Sequence, residues 1–182
     1  MAKALILLAP GFEEIEALSI VDTLRRAGVE VVTAGLRKGG IEGAHGVTVM
    51  PDSAMEAITI EDFDAVILPG GNPGYVNLGK DQRVFDFAKK VFEAGKIVAA
   101  ICAAPSVLAK GGILTGKKAT IYPGMEALLT GAKPVNERVV VDGNVVTSQG
   151  PGTALEFGIT LVELLVGKQQ AQKLKAELVV NF

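Results

Sequence analysis

Short apolar runs alternate with amphipathic stretches along the whole chain, and this alternation limits the fold more than any other feature of the sequence. Residues 3–9, 63–68 and 97–101 are mainly apolar runs, typical of parallel strands that are buried on both faces. Between such runs, stretches like residues 14–27 repeat apolar residues at helical spacing, and this one ends at Gly28. Strands that alternate with helices predict an α/β fold with a mostly parallel central sheet.

The remaining elements follow from the same patterns. Further strands are predicted at residues 29–34 and 47–50, and a helix is predicted at residues 82–94. The dipeptide Asp142-Gly143 separates two runs rich in valine, which predicts a β-hairpin because both turn residues tolerate positive φ. A final pair of helices is predicted at residues 153–166 and through Lys175.

Length and composition indicate the number of domains and limit the classes of molecule that the protein is expected to bind. A chain of 182 residues with 49% hydrophobic and 21% charged residues is expected to form one domain over residues 1–182. Its 18 basic and 20 acidic residues are interspersed, which argues against nucleic acid or a membrane surface as a partner. No stretch approaches the ~20 apolar residues of a membrane helix. A single cysteine permits no internal disulfide, so we expect a reducing, cytoplasmic location.

Cys102, the single cysteine, lies where a predicted buried strand meets a run of small residues that begins a helix. The carboxyl ends of strands are where open α/β sheets carry their active sites. Amide N–H groups at a helix start favour the thiolate, which is the reactive form of cysteine. We therefore expect a nucleophile with a lowered pKa. The alternative is an inert thiol that packs as a small hydrophobe.

Other polar or flexible groups follow the neighbouring strands. Gly70 and Gly71 come after the strand at residues 63–68, where glycine lets backbone N–H groups approach a ligand as an oxyanion hole requires. Alternatively they form an ordinary tight turn. Glu13, Glu14 and Glu16 open the first helix, where acidic residues stabilise the helix dipole. A carboxyl buried against a thiolate would instead stay protonated and donate a hydrogen bond to sulfur.

Metal and nucleotide chemistry find little support in the sequence. The segment from Gly111 to Lys117 matches a phosphate-binding pattern, but Lys118 stands where a hydroxyl should hold magnesium, and a helix precedes the segment. His45 is the single histidine and cannot by itself build a histidine-based zinc site. We expect no metal and no cofactor.

Four ordered segments together resemble a known family. They are Gly11-Phe12-Glu13-Glu14-Ile15-Glu16, Leu68-Pro69-Gly70-Gly71-Asn72, Ala100-Ile101-Cys102-Ala103-Ala104-Pro105 and Ser148-Gln149-Gly150-Pro151-Gly152-Thr153. The chain resembles the ThiJ/PfpI superfamily over essentially its whole length, and specifically the branch that contains the Parkinsonism-associated protein deglycase. This resemblance implies a flavodoxin-like three-layer sandwich, like that of class I glutamine amidotransferases, and a homodimer. It also implies that Cys102 is the nucleophile, that Glu16 is its partner, and that Gly70, Gly71 and Ala103 bind anions through their amides.

The chain lacks two histidines that mark branches of this superfamily. Tyr122 precedes Pro123 where the deglycase branch usually has histidine, and Ala103 follows Cys102 where the protease-like branch has histidine. A tyrosine can orient a substrate but is a poor base at neutral pH, so Tyr122 is an auxiliary candidate and peptidase activity is not expected. His45 is expected on an exposed loop. Gln149 replaces a residue that is often basic, which weakens anion binding there.

Two functions remain open at this point. The first is a cofactor-independent glyoxalase or deglycase-type activity, in which Cys102 attacks methylglyoxal-like carbonyls or their early adducts, with slow turnover. The second is a redox sensor or holdase in which an oxidant converts Cys102 to a sulfinate. The expected partners are therefore a small carbonyl substrate or an oxidant, and a second copy of the chain.

Overall fold

A seven-stranded sheet forms the centre of the computed structural model, which describes residues 1–182. The order of its strands is β10-β11-β7-β6-β1-β2-β5. In chain order the strands are β1 (Lys3–Leu8), β2 (Glu30–Gly35), β3 (Ile41–Glu42), β4 (Thr48–Val49), β5 (Ser53–Ala54), β6 (Ala65–Leu68), β7 (Ile97–Ile101), β8 (Lys118–Ala119), β9 (Lys133–Pro134), β10 (Val139–Asp142) and β11 (Val145–Ser148). The helices are α1 (Glu14–Arg26), α2 (Gly74–Leu78), α3 (Gln82–Glu93), α4 (Pro105–Lys110), α5 (Ala154–Val166) and α6 (Lys168–Glu177).

All neighbouring strands of the central sheet are parallel except β10 and β11, which form the antiparallel hairpin. The strands β1, β6 and β7 lie side by side in the middle, with Ile6 opposite Ile67 and Ile67 opposite Ala99. Their carboxyl ends therefore meet at one edge of the sheet. The predicted α/β fold with a mostly parallel sheet is confirmed.

Helices cover both faces of the sheet, which explains why its central strands β1, β6 and β7 are mainly apolar. Alternate residues of β1 enter two separate cores: Leu5 and Leu7 pack on one side, and Ile6 and Leu8 on the other. The first core includes residues of α2, α3 and α4, and the second includes residues of α1, α5 and α6. The result is a three-layer sandwich.

The predicted elements with long, clear periodicity agree with the structure to within a few residues, whereas short elements were missed. The predicted strand 47–50 is reduced to β4, which pairs with β3 in a small hairpin outside the central sheet. The edge strand β5 and the short helix α2 were not predicted, because β5 has only two residues and no apolar run, and the five residues of α2 are too few to show a helical period. None of the helices combines the length and apolar character needed to cross a lipid bilayer.

Candidate active site

The start of α1, the turn after β6 and the turn after β7 converge at the carboxyl edge of the sheet. Glu16 comes from α1, Gly70 and Gly71 follow β6, and Cys102 follows β7. The parallel register of β1, β6 and β7 brings these segments together although they are far apart in sequence. The structure thus gathers the residues that the sequence singled out.

Cys102 has a left-handed backbone conformation, with φ at 62°. For a residue with a Cβ atom this conformation costs roughly 1–2 kcal/mol. Hydrogen bonds on both sides hold it in place: the Cys102 N–H donates to the Ser148 carbonyl at 3.0 Å, and the Cys102 carbonyl accepts from the Tyr122 N–H at 2.9 Å. The predicted sharp turn is therefore present, and it leaves the half-buried thiol at the end of β7.

Glu16 is completely buried and points toward this thiol. Its Oε2 accepts a hydrogen bond of 2.8 Å from the Gly70 N–H. Its Oε1 is buried without a hydrogen-bond partner. A buried carboxyl oxygen that lacks a donor is costly when ionised, so this environment favours the protonated carboxyl.

The amides of the two glycines have different roles, which corrects the expectation for Gly70. Its N–H is directed to Glu16 rather than to a ligand. The backbone N–H groups of Gly71 and Ala103 instead interact with the Cys102 sulfur and act to lower its pKa. Gly71 has a φ of 90°, which glycine adopts without strain.

Burial raises the pKa of both the thiol and the carboxyl, and the carboxyl raises that of the thiol further. Burial raises the pKa of Glu16 to about 7, even though hydrogen bonds from Gly70 and Cys102 act to lower it. Burial, and then the charge and hydrogen bonding of Glu16, raise the pKa of Cys102 to about 12, against the lowering effect of the Gly71 and Ala103 amides. The expectation of a simple low-pKa thiolate is thus wrong while Glu16 is ionised. Proton transfer from sulfur to Glu16 gives a thiolate without adding a second negative charge.

Glu13, Glu14 and His45 form a second polar group beside the first. The His45 Nδ1 lies 3.0 Å from Oε2 of Glu14 and 3.5 Å from Oε2 of Glu13. The hydrogen bond to Glu14, aided by the charges of Glu13 and Glu14, raises the pKa of His45. Burial acts to raise the pKa of Glu14, but hydrogen bonds from backbone N–H groups and the His45 ring outweigh it, and the pKa is lowered.

Glu13, Glu14 and His45 are also the residues most suited to hold a metal ion. One potential ligand atom from each lies within 4.8 Å of the other two. However, Oε1 of Glu14 already accepts hydrogen bonds from the N–H groups of His45 and Val47, at 2.8 and 3.3 Å. Through these hydrogen bonds Glu14 holds the loop that carries His45 in place.

A cavity of ≈ 640 Å³ opens over Cys102, large enough for a small molecule. His45 lies on an exposed loop, as expected, with 70% of its side chain accessible, and it also lines this cavity. From the sequence, Glu13 was one of three acidic residues at the start of the first helix, with no sign that it lines a cavity. Tyr75 was not singled out, because it belongs to the unpredicted α2. The lining residues are Glu13, Ile15, Ala44, His45, Gly71, Asn72, Tyr75, Cys102, Ala103, Tyr122, Met125 and Pro151.

Tyr122 and Gln149 differ in their relation to the cavity. Tyr122 lines it and is 47% exposed, so its hydroxyl can reach a bound molecule. Gln149 does not line the cavity, and its amide donates to Asn136 at 2.9 Å. Of the two positions where the chain departs from the resembled pattern, Tyr122 is therefore the one that faces the site.

Comparison with known proteins agrees with this geometry. A family model described as the DJ-1/PfpI family matches residues 2–164. The chain belongs to the DJ-1/PfpI family. This confirms the resemblance to the ThiJ/PfpI superfamily inferred from the four sequence segments.

DJ-1/PfpI relatives match the chain over nearly its full length. Protein dj-1beta of Drosophila melanogaster is 42% identical over 183 residues, which cover 99% of this chain and 98% of the relative. A protein named as a deglycase from Pyrococcus abyssi is 40% identical over 166 residues, which cover 90% of this chain and 99% of the relative. A structure of oxidised DJ-1 from Toxoplasma gondii superposes with a TM-score of 0.96 at 38% identity and covers both chains completely. The fold is thus that of DJ-1 proteins.

Proposed function

We propose that this protein is a cofactor-independent enzyme that uses Cys102 to convert small reactive carbonyls, such as methylglyoxal or its early adducts with amines and thiols. The observation that carries the proposal is the pairing of the half-buried Cys102 thiol with the buried Glu16 carboxyl, beneath a cavity of ≈ 640 Å³. A nucleophile, a proton-transfer group and two amide donors are thereby present at one point. The deglycase name of the Pyrococcus abyssi relative supports the same class of reaction.

The first step is activation of the thiol and attack. Glu16 takes the proton of Cys102, and the thiolate sulfur adds to the aldehyde carbon of methylglyoxal. Glu16 then gives this proton to the resulting oxyanion, which forms a neutral hemithioacetal and leaves Glu16 ionised. The N–H groups of Gly71 and Ala103, which interact with the sulfur, are positioned to stabilise the developing oxyanion. A single donor of this kind contributes roughly 2.7–4 kcal/mol to stabilising the transition state.

The second step is a proton shift within the adduct. Glu16 removes the proton from the former aldehyde carbon and returns it to the neighbouring carbon, while the hydroxyl proton of the adduct passes to the neighbouring ketone oxygen, so the adduct becomes a lactoyl thioester. Water then hydrolyses the thioester, which releases lactate and restores the thiol. A pKa of about 7 suits Glu16 to both accept and donate a proton near neutral pH.

Tyr122 replaces a histidine in this scheme, and we propose that it orients the substrate without acting as a base. No base other than Glu16 lies against the sulfur, so we expect slow turnover and no peptidase activity. The reaction requires a reduced thiol, which suits a cytoplasmic location.

The test is lactate formation from methylglyoxal by the purified protein. Cys102→Ser is expected to abolish it, and Glu16→Gln to lower kcat by at least ~100-fold, because it removes general acid–base catalysis. Glu93→Gln, on an exposed part of α3, serves as the matched control and is expected to retain the wild-type rate. An undiminished rate in Cys102→Ser would refute the proposal.

A second candidate function is a redox sensor in which Cys102 is oxidised to a sulfinate. It is favoured by the resemblance to the oxidised Toxoplasma gondii DJ-1 and by a thiol that is open to the cavity. The protonated Glu16 could donate a hydrogen bond to the sulfinate. Mass spectrometry after mild peroxide treatment tests this: selective addition of two oxygens at Cys102, with negligible lactate formation, would favour the sensor over the enzyme.

We also propose that the protein forms a homodimer through the outer face of α1. Ile15 and Leu18 are exposed there, at 57% and 42%, and Val47 and Met50 of the neighbouring hairpin region are exposed as well. Exposed apolar groups of this kind are typical of protein interfaces. Light scattering should give twice the mass of 18.9 kDa, and Leu18→Glu should shift the protein toward the monomer.

A further inference from the structure

Carboxylates outnumber cationic groups at the cavity, because Glu13 lines it, Glu14 holds the imidazole of His45, and His45 is the one cationic side chain there. Among its lining residues, Glu13 and His45 carry ionisable charge near neutral pH besides the reactive Cys102, and no lysine or arginine is present. Glu16 lies directly behind Cys102. A substrate that enters therefore meets no positive side chain other than His45.

Glu13 is the carboxylate that lines the cavity and gives it negative charge. The residue is only 8% exposed, and no N–H or O–H group donates a hydrogen bond to its carboxylate. Its one ionic neighbour is the His45 ring at 3.5 Å, but that ring lies closer to Glu14, at 3.0 Å. Two carboxylates thus share one imidazole, and a net negative charge remains even when His45 is protonated.

The remaining polar and aromatic groups of the cavity have a different chemistry. The amides of Gly71 and Ala103 interact with the Cys102 sulfur and suit an oxyanion that develops on the reacting carbon. Tyr75 and Tyr122 line the cavity as well, and tyrosine rings attract ammonium and guanidinium groups. The cavity thus combines groups that suit a reacting carbonyl with groups that suit a cation in the same molecule.

We propose that this cavity selects substrates that carry a positive charge away from the reacting carbonyl, with Glu13 as the specificity-determining residue. Anionic carbonyl compounds such as glyoxylate are disfavoured. The proposal rests on the proposed carbonyl chemistry for its substrates, but the charge preference itself can be measured at Cys102 without turnover.

The first experiment uses methanethiosulfonate reagents that are cationic (trimethylammonioethyl), neutral (methyl) or anionic (sulfonatoethyl). The Cys102 thiolate attacks the sulfenyl sulfur, a mixed disulfide forms, and methanesulfinate leaves. Because the chain has one cysteine, every mass increase reports Cys102. Rates are normalised to those of the same reagents with 2-mercaptoethanol, which removes differences in intrinsic reactivity.

The wild-type protein should prefer the cationic over the anionic reagent by about tenfold, because the net negative charge of the group formed by Glu13, Glu14 and His45 draws cations toward the cavity. The ratio should fall several-fold in Glu13→Gln and should shrink at high salt. The exposed, remote Glu93→Gln removes the same formal charge and should leave the ratio unchanged. A normalised ratio near one, or a ratio that Glu13→Gln does not alter, would overturn the proposal.

The second experiment extends the same comparison to turnover. Methylglyoxal hemithioacetals of thiocholine, 2-mercaptoethanol and mercaptoacetate differ in charge, but each frees the same aldehyde for attack by Cys102 when its carbon–sulfur bond breaks and the small thiol leaves. The expected order of kcat/KM is cationic, neutral, anionic, and Glu13→Gln should flatten it. If no adduct is converted while the reagent ratio persists, the proposed enzyme activity fails but the charge selectivity stands. If all adducts are converted at equal rates, the selectivity fails and the activity stands.

Discussion

The N–H of Gly70 donates a hydrogen bond of 2.8 Å to Oε2 of Glu16, and the missing side chain of Gly70 leaves the space that Cys102 occupies. A Cβ atom at Gly70 would lie 2.6 Å from the Cβ of Cys102 and 2.9 Å from Oε2 of Glu16. Both distances are shorter than van der Waals contact. Gly70 therefore brings the two groups together: its N–H binds the Glu16 carboxyl, and its lack of a side chain leaves room for Cys102.

Gly70→Ala should accordingly separate the pair. The added methyl group must displace the Cys102 backbone or the Glu16 carboxyl, and overpacking of this kind costs about 1–3 kcal/mol. We expect a fall in the free energy of unfolding of that size in urea titrations, with a changed rate of Cys102 alkylation. Gly152→Ala is the matched control, because a Cβ there meets nothing within 4 Å. Equal stability of the two variants would contradict the role given to Gly70.

The stability of the protein should depend on pH through Glu16. Its pKa is raised by burial from an ordinary value of 4.5 to about 7 in the folded state. Between these values the unfolded chain has released the proton while the folded chain retains it, so stability falls as the pH rises. The loss amounts to roughly 3 kcal/mol, at 1.4 kcal/mol per pKa unit, and is complete slightly above pH 7.

Urea unfolding of the wild type and of Glu16→Gln, at several values from pH 4.5 to 8, measures this loss. The amide that replaces the carboxyl does not titrate, so the variant should gain stability relative to the wild type as the pH rises through that window. The other ionisable groups are common to both proteins and cancel in the difference. Parallel pH profiles would show that Glu16 titrates normally in the folded state.

The sequence was sufficient to predict the main strands and the place of Cys102, because long apolar runs leave few alternatives for a chain of this size. It also placed Glu16 at the start of the first helix, but only the family resemblance distinguished it from Glu13 and Glu14. All three glutamates lie within one helical turn and are largely buried, and the orientation of α1 decides which of them meets Cys102. That orientation is a property of tertiary packing.

The pKa of Cys102 shows a second limit of sequence reasoning. Amides at a turn were expected to lower it, and such amides do contact the sulfur. Burial and the approach of Glu16 have the opposite effect, and they outweigh the amides. Neither the degree of burial nor the distance between two side chains from separate elements can be obtained from a local pattern.

Because Cys102 has a left-handed conformation, glycine should be more stabilising than alanine at this position, which is the reverse of their usual order in a helix. Cys102→Gly removes the Cβ atom that makes a φ of 62° unfavourable, and should be about 0.5–1 kcal/mol more stable than Cys102→Ala. At Lys89, on the exposed side of α3, the order should be the opposite, with glycine about 1 kcal/mol less stable than alanine. Thermal and urea unfolding of the four variants would test this. The same order at both positions would contradict a left-handed conformation for Cys102 in solution.

His45 should titrate above the ordinary pKa of 6.5, because its ring is hydrogen-bonded to Glu14 and faces two carboxylates. The chain has one histidine, so its ring protons give an isolated NMR signal whose shift against pH yields the pKa directly. Glu14→Gln should lower this pKa toward 6.5, and Glu13→Gln should lower it less, since Glu13 lies 3.5 Å away against 3.0 Å for Glu14. The attraction that holds the His45 loop is present below pH 6.5 and disappears as the pH rises through the raised pKa. The ring should therefore become more mobile at alkaline pH, which line widths in the same titration report. A pKa unaffected by Glu14→Gln would show that the ring and the carboxylate do not interact in solution.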